Sequence, residues 1–251
     1  MLAGADDSAN TKQEMSEEPS GTIVVTGTSR GIGHDIAIQY LSSGWRVFGC
    51  SRGEGTIENE GYAHESVDVS SAEQVKNWAR SLKKTAGQID VMVCNAGLAP
   101  AASLLTLTPP SVLDGILQTN VGGTFHVCCE FGKIMMRQRH GSIITTSSMA
   151  VGLHEEGTSA YSASKSAIVE MTKILAKELA PFGVNCNVIA PSMYETEALQ
   201  ALGDNIIERA KEKLTVKRSL SIEEICSVIS FFGSPANRVV TGQVIYLGLV
   251  A

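Results

Sequence analysis

The chain has 251 residues, 43% hydrophobic and 18% charged, a globular composition with ample apolar material for a large core. No apolar run approaches the roughly 20 residues of a membrane span, and the start, MLAGADDSAN, lacks a basic segment ahead of an apolar one, so neither a membrane nor a secretory leader is expected. The formal charge is −6, and the first 21 residues hold five acids against one base, which leaves the remainder without the basic field that nucleic acid requires.

Residues 1–20 are polar, acidic and aperiodic, and read as a disordered tail. Seven short β-branched runs follow: TIVVT (22–26), WRVFGC (45–50), YAHESV (62–67), IDVMVC (89–94), GSIITTSS (141–148), VNCNVIA (184–190) and GQVIYL (242–247). Most are too continuously apolar for a one-sided sheet, which predicts strands buried on both faces. Helical patterns lie between them. One opens at the end of the first glycine-rich turn, GHDIAIQYLSSG. Ser71 with Gln74, and Ser221 with Glu224, have the capping-box spacing at two further helix starts. Gly233 reads as a helix stop. Residues 158–183 read as one long helix closed by Pro181 and Gly183. The alternation predicts a single-domain, doubly wound α/β fold over residues 21–251, with a parallel sheet covered on both faces.

The first strand runs into TGTSRGIG, which places Gly27, Gly31 and Gly33 before a helix. Glycine lets a ligand approach the backbone closely. The helix start then offers free N–H groups and the positive dipole end to a phosphate. The glycines alone fit a bare strand-to-helix turn equally, but their place after the first strand favours a nucleotide. The second strand ends in Ser51 and Arg52, with Glu54 further on. NAD-binding folds usually carry an acid at this strand end for the ribose 2′-hydroxyl. Arg30 and Arg52 suit a 2′-phosphate instead, which favours NADP(H) over NAD(H); the bland alternative is two solvated surface residues.

Six cysteines (Cys50, Cys94, Cys128, Cys129, Cys186 and Cys226) form no C-x-x-C pair. They read as buried thiols of a reducing, cytoplasmic compartment. His34, His64, His126, His140 and His154 show no ligand spacing, so no metal is expected.

YSASK puts Tyr161 and Lys165 four residues apart, on one face of the long helix. By itself this is a common pair. It follows a Ser-rich strand end, TTSSMA, and the carboxyl ends of parallel strands are where such folds hold ligands. An ammonium beside a phenol lowers its pKa toward working pH. Such a tyrosine can protonate a ketone oxygen as hydride arrives, and Ser148 can hydrogen-bond the same oxygen.

From about residue 21 onward the sequence resembles the classical short-chain dehydrogenases/reductases, and within them the 3-oxoacyl-(acyl carrier protein) reductases. The resemblance is carried by TGTSRGIG, DV at 68–69, CNAG at 94–97, QTNVGG, SSMAVG, YSASK and NVIAPSMYETE. It implies a seven-stranded Rossmann-type sheet and a catalytic set of Asn120, Ser148, Tyr161 and Lys165. Tyr161 would be the acid and Ser148 the carbonyl-orienting donor. Lys165 would lower the tyrosine pKa and hold the nicotinamide ribose. Asn120 would kink its helix and hold a water for proton resupply. The cofactor would lie on Gly27, Ser29, Arg30, Gly31, Ile32, Gly33, Ser51, Arg52, Asp68, Val69, Asn95, Ala96 and Gly97, with Tyr161, Lys165, Pro191, Tyr194 and Thr196 toward the nicotinamide. The abbreviated link after the second strand also resembles NADPH-preferring relatives.

Three positions depart from the family pattern: Cys94 for the first asparagine of N-N-A-G, Ser192 for the glycine after Pro191, and the C-terminal VIYLGLVA. Residues 193–215 would form a substrate lid, and Leu98, Leu153 and His154 would flank the cleft. The expected partner is a small carbonyl compound, a 3-oxoacyl thioester on acyl carrier protein or coenzyme A. Lys133, Arg137 and Arg139 offer an acidic carrier a basic surface, and equally make an ordinary solvated helix face. The resemblance implies a homotetramer built through helices at about 111–139 and 158–181. An alcohol or sugar dehydrogenase, and a non-catalytic dinucleotide-binding subunit, remain the alternative readings.

Overall fold

The computed structural model describes residues 19–196 and 204–250; most of the expected tail and part of the expected lid lie outside them. Seven strands form one sheet: β1 (Thr22–Thr26), β2 (Arg46–Ser51), β3 (Tyr62–Ser66), β4 (Val91–Cys94), β5 (Gly141–Thr146), β6 (Val184–Pro191) and β7 (Val244–Leu247). Their order is β3-β2-β1-β4-β5-β6-β7, and every pairing is parallel. All seven predicted runs are strands.

The helices are α1 (Gly31–Ser42), α2 (Ala72–Thr85), α3 (Pro110–Ile116), α4 (Gly123–Gln138), α5 (Ala150–Leu153), α6 (Ser159–Leu179), α7 (Asp204–Glu212) and α8 (Ile222–Gly233). Helices α2, α4 and α6 cover one face of the sheet, and α1 and α8 cover the other. Alternation within each strand explains the continuous apolar runs. Val24 and Met92 face the α2/α4 side, whereas Ile23, Val25, Val91 and Val93 face α1 and α8. Trp78 of α2 meets Phe131 of α4 edge-on at 5.0 Å between ring centroids, both fully buried, an arrangement that adds about 1 kcal/mol to the burial of two large rings.

Local signals are used with one variation. Ser221 and Glu224 form the complete reciprocal capping box. Ser71 caps α2 through the Gln74 N–H, but the Gln74 side chain accepts instead from the Asp68 N–H at 2.8 Å, pinning the loop ahead of the helix. Gly183 closes the long helix region in a left-handed conformation. Helix α8 ends at Gly233 as expected, but without a left-handed glycine: the cap is Ser234 in extended conformation, and a Cβ on Gly233 would press on Val91 Cγ2 at 2.8 Å.

The chain leaves β1 in one direction along the sheet, toward β2 and β3, and in the other toward β4. Loops at the carboxyl ends of β1 and β4 therefore diverge and leave a crevice, the place where open α/β sheets bind ligands. Thr26 bridges its floor: the hydroxyl accepts from the Asn95 and Ala96 N–H groups, each at 3.0 Å.

Candidate active site

Two adjoining cavities occupy the crevice. The larger is a cleft of about 790 Å³ that includes Ser29, Arg30, Gly31 and Ile32 on one wall and Ser148, Tyr161 and Lys165 on the other. The smaller, about 190 Å³, brings together Gly27, Arg30, Ser51, Arg52, Asp68 and Val69. Asn95 and Gly97 line both. Pro191 borders the cleft beside the Ser148 segment, Thr196 borders it against Gly31, and Ala96 lines the smaller cavity.

Gly27 has φ +78°, and a Cβ there would stand 3.0 Å from Ala96 Cα. Gly33 lies behind the cavity lining; its Cβ would collide with the Gly27 carbonyl oxygen. The two glycines thus allow helix, turn and β4 loop to pack backbone to backbone. Arg30, between them, is extended at φ −165° and needs no glycine freedom. It occupies the N-cap of α1 without a side-chain cap, and no acid lies in the first turn. The unused N–H groups and dipole end are open to an anion.

The smaller cavity carries Arg30 and Arg52 and, at the end of β2, no acid. Ser51 is fixed by a chain of side chains that no local pattern announces. Thr28 Oγ1 and the Tyr62 hydroxyl are 2.8 Å apart, Tyr62 reaches His64 Nδ1 at 2.8 Å, and His64 Nε2 faces Ser51 Oγ at 3.2 Å and the Gly53 carbonyl at 3.0 Å. No helix separates β2 from β3, so this network replaces one in holding the link. Asp68 Oδ1 accepts from the Ser70 N–H and hydroxyl, which shapes the turn around Val69.

At the opposite wall, Tyr161 and Lys165 project from the first turns of α6. Ser147 Oγ donates to the Lys165 carbonyl at 3.2 Å and ties α6 to the end of β5. Lys165 is 4% exposed; its ammonium donates to the Thr146 carbonyl at 2.8 Å and lies 5.8 Å from the Tyr161 ring centroid. Burial lowers it to about 8. The Tyr161 phenol is pushed up by burial, opposed by its hydrogen bond to Ser148. The expected lowering by the ammonium is not seen: the shift is upward and set by burial.

Asn120 lies in a π-helical turn, Leu117–Gly122, between α3 and α4, so the expected kink is a local widening of the helix. Its Oδ1 accepts from the Leu98 N–H at 2.7 Å; its Nδ2 donates to the Leu98 carbonyl and to Ser164 Oγ, both at 3.0 Å. The amide joins the β4 loop to α6, behind the cleft wall.

Tyr194 does not line the cleft; its hydroxyl donates to Asp35 Oδ2 at 2.6 Å, strapping the segment after β6 to α1. Leu98 borders the cleft, whereas Leu153 and His154 do not. Met193 is buried, and Leu199 and Leu202 lie outside the described residues. Lys133 pairs with Glu130, and Arg139 lies over the Phe182 ring. Lys133, Arg137 and Arg139 occupy the end of α4 that feeds the start of β5, opposite the cleft, so a carrier bound on them is misplaced for delivery. Cys94 points into the core, with its sulfur 3.8 Å from that of Cys128, away from the cofactor side. Ser192 borders the cleft with its Oγ buried and without a hydrogen-bond partner, close enough that a Cβ on Gly248 would stand 2.6 Å away. His34, Asp35 and Thr56 also line the cleft, brought there by tertiary packing that no local pattern announces.

A parallel sheet with an anion-ready glycine turn at its switch point, faced by serine, tyrosine and lysine, defines a dinucleotide-binding oxidoreductase fold of the doubly wound class. The family described as enoyl-(acyl carrier protein) reductase matches residues 27–248. The 3-oxoacyl-[acyl-carrier-protein] reductase FabG of Staphylococcus aureus is 30% identical over 234 residues, 89% of this chain and 95% of that protein. The 3-oxoacyl-[acyl-carrier-protein] reductase MabA of Mycobacterium bovis is 29% identical, covering 90% of each chain. Among solved structures, ElxO with NADP bound superimposes with a TM-score of 0.84 at 26% identity, covering 90% of this chain and 96% of that one. The chain belongs to the short-chain dehydrogenase/reductase family, enzymes that act on carbonyl and hydroxyl groups.

Proposed function

We propose that the protein is an NADP(H)-dependent reductase that converts a ketone to an alcohol, with a 3-oxoacyl thioester on acyl carrier protein or coenzyme A as its substrate class. The observation that carries this reading is the meeting of Ser148, Tyr161 and Lys165 at one cleft, with the buried Lys165 ammonium 5.8 Å from the Tyr161 ring centroid. The names of the staphylococcal and mycobacterial relatives support the thioester. The neighbour with NADP bound supports the cofactor.

The residues present fit that dinucleotide. The pyrophosphate would meet the uncapped start of α1 across Gly27, where there is no room for a side chain. The 2′-phosphate would meet Arg30 and Arg52. Asp68 and Val69 would border the adenine, and Thr196 and Pro191 the nicotinamide. When bound, the reduced dinucleotide supplies hydride to the carbonyl carbon. Tyr161 donates its proton to the carbonyl oxygen, and Ser148 donates a second hydrogen bond to the developing charge. Lys165, positive below about pH 8, stabilises the phenolate left behind. Asn120 holds the Leu98 backbone and Ser164 in register behind these groups. Exposed Phe125 on α4 and Ile174 on α6 support assembly as a homotetramer through those helices.

The test is NADPH consumption with a panel of 3-oxoacyl thioesters, simple ketones and quinones. Reduction of the thioesters is expected. Cofactor binding without turnover of any panel member would reject the reading in favour of a non-catalytic subunit.

A further inference from the structure

A separate cavity of about 250 Å³ lies beside Tyr161, walled by Pro100, Ala101 and Ala102 of the loop after β4, Val112 of α3 and Ala160 of α6. It shares one lining residue with the main cleft, Tyr161. No charged side chain lines it, and its hydroxyls other than that of Tyr161 are engaged with backbone carbonyls. Thr108 donates to the Leu104 carbonyl at 3.0 Å, Thr158 to the Glu155 carbonyl at 2.7 Å and Ser103 to the Leu104 carbonyl at 3.5 Å. The compartment thus has an apolar wall with no charge to offer a polar guest.

A ketone whose oxygen meets the Tyr161 hydroxyl bears two substituents on its carbonyl carbon. Tyr161 lines both the polar cleft and this apolar compartment. We propose that the compartment receives the uncharged alkyl substituent of the ketone and sets the chain length the enzyme accepts, an inference that rests on the reductase reading. At about 30 Å³ per water-sized group, the cavity holds on the order of eight such groups. That fits alkyl groups from methyl to about six carbons and excludes a substituent that ends in a carboxylate.

Two measurements keep the compartment and the reaction separable. The first is kcat/KM for N-acetylcysteamine 3-oxoacyl thioesters with alkyl ends from methyl to octyl, and for one ending in a carboxylate, in the wild type, Ala160→Phe and Val112→Ala. The wild type should gain on the order of fourfold per methylene up to about six carbons, and the carboxylate-ended substrate should fall at least about tenfold below its methyl-ended counterpart. Ala160→Phe should lower the hexyl-to-methyl ratio at least about tenfold, and Val112→Ala should move the optimum to longer chains. If Ala160→Phe does not fold, the shift in Val112→Ala carries the test. The same chain-length profile in wild type and variants, or a carboxylate-ended substrate turned over as fast as the alkyl one, overturns the proposal while leaving the reductase reading intact. The second measurement is calorimetric binding of 2-alkanones, butanone to decanone, to the cofactor-free protein, which needs no turnover. Affinity that rises with chain length and falls in Ala160→Phe supports the compartment even where no thioester is reduced, an outcome that would reject the reductase reading alone. Affinity indifferent to chain length overturns the compartment.

Discussion

The Asn120 side chain clasps one residue, Leu98, from both sides: its carbonyl oxygen takes the Leu98 N–H at 2.7 Å and its amide nitrogen donates to the Leu98 carbonyl at 3.0 Å. With its further bond to Ser164, this fully buried amide ties the β4 loop, the π-helical turn and α6 into one unit.

Asn120→Ala removes that clasp and leaves the half-buried N–H and carbonyl of Leu98, and the buried Ser164 hydroxyl, without their partner. A fully buried group left unpaired costs about 1–3 kcal/mol. Denaturant unfolding should register a loss of about 2 kcal/mol or more. Reduction should slow as the Leu98 wall loses its position. A variant as stable as wild type would mean the Leu98 groups find partners elsewhere.

Arg52 lines the small cavity at the end of β2 where an acid would favour NAD(H). Arg52→Ala should raise the Kd for NADPH by about tenfold, the worth of one charge-assisted hydrogen bond. The Kd for NADH should change little. An unchanged NADPH-to-NADH ratio in fluorescence titration would remove Arg52 from the 2′-phosphate assignment.

Lys165 titrates at about 8 in the folded chain against an ordinary 10.5. Between these values the unfolded chain binds the extra proton, so this residue makes stability rise with pH across that window. Below it, burying the ammonium costs up to about 3 kcal/mol. Lys165→Met should therefore be more stable than wild type near pH 7, by less than that bound because the bond to the Thr146 carbonyl is lost. The advantage should shrink as pH rises from 8 toward 10. A difference that stays constant across this range would show that the charge is not desolvated.

Tyr194 and Asp35 join the segment after β6 to α1 across 2.6 Å. A hydrogen bond to a charged group contributes about 1.5–3 kcal/mol. Tyr194→Phe should accelerate amide exchange in residues 192–196 by at least about tenfold and raise KM for NADPH. Unaltered exchange there would mean the Tyr194–Leu220 bridge holds the segment by itself.

The sheet was legible because its central strands are buried on both sides. Ile23, Val24 and Val25 must all be apolar when alternate residues face different helical layers. The glycine turn was legible because backbone-to-backbone packing at Gly27 and Gly33 leaves no other residue type. Ser148, Tyr161 and Lys165 meet at one cleft because two share a helix face and the third follows the end of β5 by two residues. Long-range contacts were not legible. The place of Tyr194 depends on Asp35, 159 residues away in sequence, and the Thr28–Tyr62–His64–Ser51 chain crosses three elements. The upward shift of Tyr161 has a related origin: spacing reveals the ammonium, whereas the burial that raises the phenol comes from the assembled fold.

The proton donated by Tyr161 is the step on which the account depends. Its most direct test is single-turnover reduction of a 3-oxoacyl thioester by Tyr161→Phe, with NADPH affinity measured on the same preparation. The account predicts that reduction falls at least about 100-fold, the usual share of general acid catalysis, while the Kd for NADPH stays within a few-fold of wild type. Reduction at the wild-type rate would contradict it.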